Sequence, residues 1–182
     1  MWSINDPVPQ RIDAIVVISY GAEKNRLSRR SGDVAFMALE LAKRHPEAVI
    51  YWGTFGKSPN EKKEESLKYR MFSGFKHVHI GSVTSTTDEL EAVLKFIHEG
   101  QNIVVLMDGS HSRRCIRVWK YSNQDKCVYG VSTPVAISDW GNPMLLQKLW
   151  PVWLVVNAIL LPLYWGNGPR RMAKVNFSQP TW

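Results

Sequence analysis

Between Asp108 and Arg114 the chain reads Asp-Gly-Ser-His-Ser-Arg-Arg, directly after the apolar run Ile103–Met107 and directly before an amphipathic stretch. A helix that begins here presents free amides and a partial positive charge, which attract anions and disfavour nearby arginines by about 0.3–1 kcal/mol each. Two arginines and a histidine in one first turn run against that preference. They make sense where a phosphate or carboxylate is shared between the amides that follow Ser110 and the Arg114 guanidinium. The plainer reading keeps Arg113 and Arg114 in solvent or paired with Asp108. His111, whose ordinary pKa lies near neutrality, is the candidate proton donor or acceptor.

Three other turns carry related chemistry. Gly21-Ala22-Glu23-Lys24-Asn25-Arg26-Leu27-Ser28-Arg29-Arg30 is a second basic cluster, opened by a glycine suited to a tight turn. Arg29 or Arg30 is the residue expected to close over an anion. In Gly53-Thr54-Phe55-Gly56, Thr54 and Gly56 are candidate ligand contacts, with backbone amides free to approach. Thr87 and Glu89 follow in the third turn. Glu89 has two readings, a carboxylate that orients His111 or binds a hydroxyl, and the acid of a capping box opened by Thr86. No Walker loop, GxGxxG or Gly-x-Ser-x-Gly elbow occurs. His77 and His79 lack acidic or cysteine companions at metal spacing, so no metal site is expected.

Periodicity supplies the elements that must hold these turns. Ile12–Ser19, Val49–Trp52, His77–Ile80, Ile103–Met107 and Cys127–Val131 are short apolar runs of the kind buried on both faces of a parallel sheet. Ser31–Arg44, Glu61–Phe72, the stripe Leu90, Val93, Leu94, Ile97 closed by Gly100, and His111–Tyr121 are helices that alternate with them. Strand–helix alternation of this kind predicts a three-layer Rossmann-like α/β domain, a mostly parallel sheet of about five strands with helices on both faces. Ligands in such sheets bind beyond the carboxyl ends of the strands, where all four turns fall.

The domain spans 11–140, and 141–182 is a hydrophobic extension with a basic tail. A chain of 182 residues with 45 % hydrophobic and 21 % charged residues is an ordinary globular one, large enough to need no disulfide staples. Cys115 and Cys127 are expected to be reduced. Of the net charge of +7, residues 1–100 contribute 14 Lys/Arg against 13 Asp/Glu and residues 101–182 contribute 9 against 3, which points to an anionic partner. Asp6, Pro7 and Pro9 interrupt the first ten residues, so no secretory signal is expected and the predicted location is the cytoplasm. Leu149–Tyr164 is free of charge, rich in aromatics at its ends and followed by Arg170, Arg171 and Lys174. It is shorter than the ~20 residues of a span and contains Pro151 and Pro162, so it reads as a buried or docking segment.

The order of these motifs resembles the bacterial ElyC/SanA/YdcF family, whose shared region is a domain of unknown function. The likeness covers about residues 11–140. It rests on Gly21, Arg29 or Arg30, Thr54 with Gly56, one of Glu61, Glu64 or Glu65, Thr87-Asp88-Glu89, and His111 with Arg114. The chain departs from the family at the first turn, which has one glycine where several are usual, and at Leu90, which replaces the asparagine of the Thr-x-Glu-Asn motif. The resemblance implies a Rossmann-like fold with a polar cleft, a link to bacterial envelope metabolism, and S-adenosylmethionine among the candidate cofactors.

Two functions are expected to compete. One is binding, with or without turnover, of a small anionic, nucleotide-like or phosphorylated metabolite, using His111 and Glu89 for proton transfer. The other is a non-enzymatic module that meets a membrane or a second subunit through 149–174, with contact centred on 149–165. Nucleic-acid binding would rest on charge alone, without a groove-reading motif, and ranks last.

Overall fold

The computed structural model describes residues 4–122, 127–135, 149, 151–156 and 158–159. Nine elements alternate strictly: β1 (Ala14–Val17), α1 (Arg29–Arg44), β2 (Val49–Phe55), α2 (Glu61–Phe72), β3 (His77–Val83), α3 (Thr86–Leu94), β4 (Asn102–Met107), α4 (Ser112–Ser122) and β5 (Cys127–Ser132). The sheet is parallel throughout, in the order β3-β2-β1-β4-β5. Right-handed crossovers then place α1 and α2 on one face and α3 and α4 on the other, and each pair packs together. The expected three-layer Rossmann-like architecture is present.

The central strands explain why. Ile15, Val16 and Val17 of β1 and Ile103 to Leu106 of β4 have no solvent exposure, as a strand covered on both faces requires. Val34, Ala35, Ala38 and Ala42 bring α1 onto one face, and Leu90, Val93, Cys115 and Trp119 bring α3 and α4 onto the other. The outer edge of β5 is covered by the chain's beginning: Asp6 N–H donates to the Gly130 carbonyl, and the Asn5 side-chain oxygen accepts from Ser132 N–H. Such cover removes an edge that would otherwise pair with another chain.

Three local expectations are corrected. β2 runs on to Phe55, so Gly53 and Thr54 belong to the strand and not to the loop after it. The pairing of β2 with β3 shifts register between Trp52 and Thr54, and a bulge there accommodates Gly53, whose missing Cβ would lie 3.1 Å from the Gly81 carbonyl oxygen. α3 is capped one residue earlier than expected. Ser85 is the N-cap, its hydroxyl accepting from Asp88 N–H at 3.1 Å, while Asp88 reaches back to Thr84 N–H at 3.0 Å. Gly100 does not close α3, which ends at Leu94; at φ +77° it turns the chain into β4 instead.

The extension beyond 140 is described in part. Residues 151–156 form a short helix, α5, with 158–159 helical beyond it, and Trp153 is buried. The expected roles of Trp150, Tyr164, Trp165, Arg170, Arg171 and Lys174 fall outside the described residues. Among the described residues no helix is long and apolar enough to cross a membrane. Cys115 is buried and Cys127 exposed, both as free thiols.

The capping register is open to test by chemical denaturation. Ser85→Ala is expected to cost about 1 kcal/mol, the usual value of an N-cap. Thr86→Ala, which removes no cap, is expected to cost clearly less.

Candidate functional site

The strand order reverses direction between β1 and β4, and the crevice beyond their carboxyl ends is the natural ligand position of such a sheet. Ser19 and Tyr20 leave β1 on one side of it. Asp108 to His111 leave β4 on the other. A single phenol ties them: the Tyr20 hydroxyl accepts from Asp108 N–H at 2.9 Å and lies 3.1 Å from His111 Nδ1.

His111 is buried, and Arg114 Nη2 sits 2.7 Å from its Nε2. A guanidinium only donates, so Nε2 accepts and the imidazole proton resides on Nδ1, where it is donated to Tyr20. Burial, reinforced by the Arg114 and Arg30 charges, pushes the His111 pKa well below its ordinary value. The ring is therefore neutral, with one tautomer selected. Burial likewise holds the Tyr20 phenol and the Cys115 thiol neutral, their pKa values well above the ordinary ones. Thr86 Oγ1 lies 3.4 Å from Nε2, and the Trp153 ring roofs the group, 5.7 Å from the imidazole and 5.4 Å from the Arg114 guanidinium carbon.

Of the two arginines that open α1, only Arg30 enters the site. It has no solvent exposure, and its Nε lies 3.3 Å from Asp108 Oδ1. Ser28 shapes this turn: its hydroxyl caps α1 by accepting from Ser31 N–H and donates to the Tyr20 carbonyl. Gly21, at φ +84°, starts the same turn, and Ser28 N–H donates to its carbonyl. Arg29 points outward, 60 % exposed, toward Asp33. Ser110 is buried, its amide and hydroxyl both on Asp108 Oδ2. The amides of His111 and Ser112 are spent within the same turn, on the carbonyls of Asp108 and Gly109. Gly109 allows that turn to pass close to residues 133–135, since a Cβ there would collide with the Thr133 carbonyl.

A second polar cluster lies under the ends of β1 and β2. Lys68, fully buried on α2, is within 2.7 Å of Glu64 Oε1 and donates to Ser19 Oγ and the Gly53 carbonyl, both at 2.9 Å. Ser19 Oγ donates to the same carbonyl at 2.7 Å. The β-bulge explains this convergence, because it takes Gly53 out of regular pairing and leaves a carbonyl needing donors. Glu64 Oε2 accepts from Phe55 N–H at 2.8 Å, and the Gly56 amide is bonded to the Val83 carbonyl. The amides once expected to approach a ligand along Gly53–Gly56 are thus occupied at Phe55 and Gly56. Thr54 Oγ1 donates to Glu61 Oε1 at 3.0 Å.

Glu89 connects the two clusters. Released from capping by the earlier N-cap, it is buried and accepts from Ser19 N–H at 2.8 Å. Burial raises its pKa from 4.5 to about 8, against the opposing pull of Lys68 and of the Ser19 hydrogen bonds. It is a neutral carboxylic acid at pH 7. Thr87 is partly exposed, and its neighbour Thr86 is the threonine that approaches His111.

The sequence reading passed over Tyr20, Ser19, Lys68, Asp108 as a bridge, and Trp153. A lysine four residues after Glu64 was a readable ion-pair spacing. Nothing local distinguishes Tyr20 or Trp153 from core aromatics. No family model, curated protein or solved structure matches this chain.

Two outcomes test this electrostatic arrangement. Lys68→Met leaves the Glu64 carboxylate buried without its cation and is expected to cost about 3–5 kcal/mol in denaturant unfolding, with Glu64→Leu in the same chain restoring much of it. The raised pKa of Glu89 means the folded state holds a proton that the unfolded state releases above 4.5. Its contribution to stability is complete below that value and is lost as the pH climbs to about 8. Glu89→Gln is expected to flatten the slope of stability between those limits.

Proposed function

We propose that this protein binds a small anionic metabolite, phosphorylated or nucleotide-like, in the crevice beyond the ends of β1 and β4. One observation carries the reading: the Arg30 guanidinium has no solvent exposure, and among the described residues none of its three nitrogens has a hydrogen-bond partner, Asp108 Oδ1 standing at ion-pair distance, 3.3 Å from Nε. A buried guanidinium with donors unfilled attracts an anion far more strongly than one in water.

Arg114 is the mobile partner of such a ligand. It is the less buried arginine, it forks, and its neighbours include a neutral imidazole and an indole face, both weaker partners than a phosphate or carboxylate. An anion that draws Arg114 off Nε2 uncovers the basic nitrogen of His111, whose other nitrogen stays fixed by Tyr20. His111 then accepts a proton from a substrate hydroxyl or water, and Glu89 is the acid able to supply one near pH 7. This is the extent of the catalytic reading; binding without turnover uses the same groups.

The likeness to the ElyC/SanA/YdcF family supports the same crevice through Arg30, Glu89, His111 and Arg114, and it is the reason S-adenosylmethionine belongs among the probes. The buried Leu90, in place of that family's asparagine, presents core surface where a polar contact would stand.

Calorimetric titration with inorganic phosphate, nucleotides, sugar phosphates and S-adenosylmethionine tests the proposal. An anionic ligand is expected to bind, and Arg114→Gln is expected to weaken it by about tenfold or more, the value of a charge-assisted hydrogen bond. No binding across the panel, or unchanged affinity in Arg114→Gln, overturns it.

A further inference from the structure

The short helix over the crevice has two unlike sides. Trp153 turns inward onto His111 and Arg114 and is 4 % exposed. Val152, Val155 and Ile159, at spacings of three and four, turn outward and are 40 %, 56 % and 65 % exposed. Leu149 just before them is exposed as well. Residues at those intervals share one helix face, so this is a continuous apolar strip and not scattered surface valines.

The charges around the strip select its partner. From Trp140 to the last residue, Trp182, the sequence holds no Asp or Glu and four basic residues, Lys148 before the helix and Arg170, Arg171 and Lys174 after it. Between Leu149 and Pro169 there is no charge at all, while Trp150, Tyr164 and Trp165 supply aromatics of the kind that settle at a lipid–water boundary. An apolar strip whose flanking sequence carries cations and no acid complements a surface that is apolar beneath and negative on top. We propose that the outward face of 151–159 docks this protein on an anionic lipid bilayer, lying in the interface without spanning it. The docked helix would carry the crevice with it, Trp153 separating lipid from His111 and Arg114. The inference does not depend on the anion site being functional.

Co-sedimentation of the full chain with vesicles tests it, comparing phosphatidylcholine alone with phosphatidylcholine mixed with phosphatidylglycerol. Binding is expected to the mixed vesicles, to fall with added salt, and to drop by about fivefold for each cation removed in R170Q/R171Q/K174Q. V155E/I159E, whose side chains are already exposed and whose fold is checked by circular dichroism, is expected to bind at least about tenfold more weakly. Arg114→Gln is expected to bind vesicles as the parent does, whatever it does to phosphate affinity, which separates this inference from the preceding one. Equal binding to both vesicle types, no binding to either, or unimpaired binding by V155E/I159E overturns it. So does a parent dimer in light scattering that V155E/I159E converts to monomer, because the occupant of the strip is then a second copy of the chain.

Discussion

Taking an ion out of water costs several kcal/mol even after the protein relaxes around it, and this fold does so twice at one sheet edge. Lys68 and Arg30 have no exposed surface. Each therefore needs a negative or strongly accepting partner within reach, and the surrounding elements are arranged to supply it. Lys68 is met by Glu64 one helical turn earlier, by the Ser19 hydroxyl from the end of β1 and by the Gly53 carbonyl from the bulge in β2. Arg30 is met by Asp108 from the end of β4. Both cations thus join segments distant in sequence, and both depend on the same strand ends that frame the crevice.

The two clusters differ in how far their buried cations are hydrogen-bonded. Around Lys68 the Ser19 hydroxyl and the Gly53 carbonyl accept hydrogen bonds and Glu64 matches the charge at 2.7 Å, so that cluster reads as architecture: it holds α2 to the sheet and fixes the bulge. Around Arg30 the Asp108 carboxylate stands at ion-pair distance, but none of the three guanidinium nitrogens has a hydrogen-bond partner among the described residues. Glu89, bonded to Ser19 N–H, is protonated because burial penalises its charged form more than Lys68 and the Ser19 hydrogen bonds favour it. The cluster whose cation is matched and hydrogen-bonded carries the fold, and the one whose buried guanidinium keeps unfilled donors carries the function proposed.

Tyr20 illustrates how a core residue acquires a chemical role. Its ring is packed in the hydrophobic core, while its hydroxyl touches both the Asp108 amide and His111. The tautomer of His111, and hence which nitrogen is basic, follows from that contact together with Arg114. Trp153 plays the complementary part from the far end of the chain, covering His111 and Arg114 from above.

Alternation of β-branched runs with amphipathic stretches was enough to specify the three-layer parallel sheet, because strand burial and helix periodicity are local consequences of side-chain type. The same logic located the four turns at one edge and marked His111 and Arg114. It misplaced the α3 cap, since Ser85 and Thr86 are equally good caps in isolation, and only the packing of Leu90 and Val93 against the sheet sets the helix phase. That single-residue shift took Glu89 off the helix terminus and buried it. Tertiary structure alone decided that Arg30 turns inward while Arg29 does not, that the glycine loop's amides are already bonded, and that Tyr20, Lys68 and Trp153 belong to the site. Each of those outcomes depends on which distant backbone group lies within about 3 Å of a side chain, and spacing along a sequence holds no record of that distance.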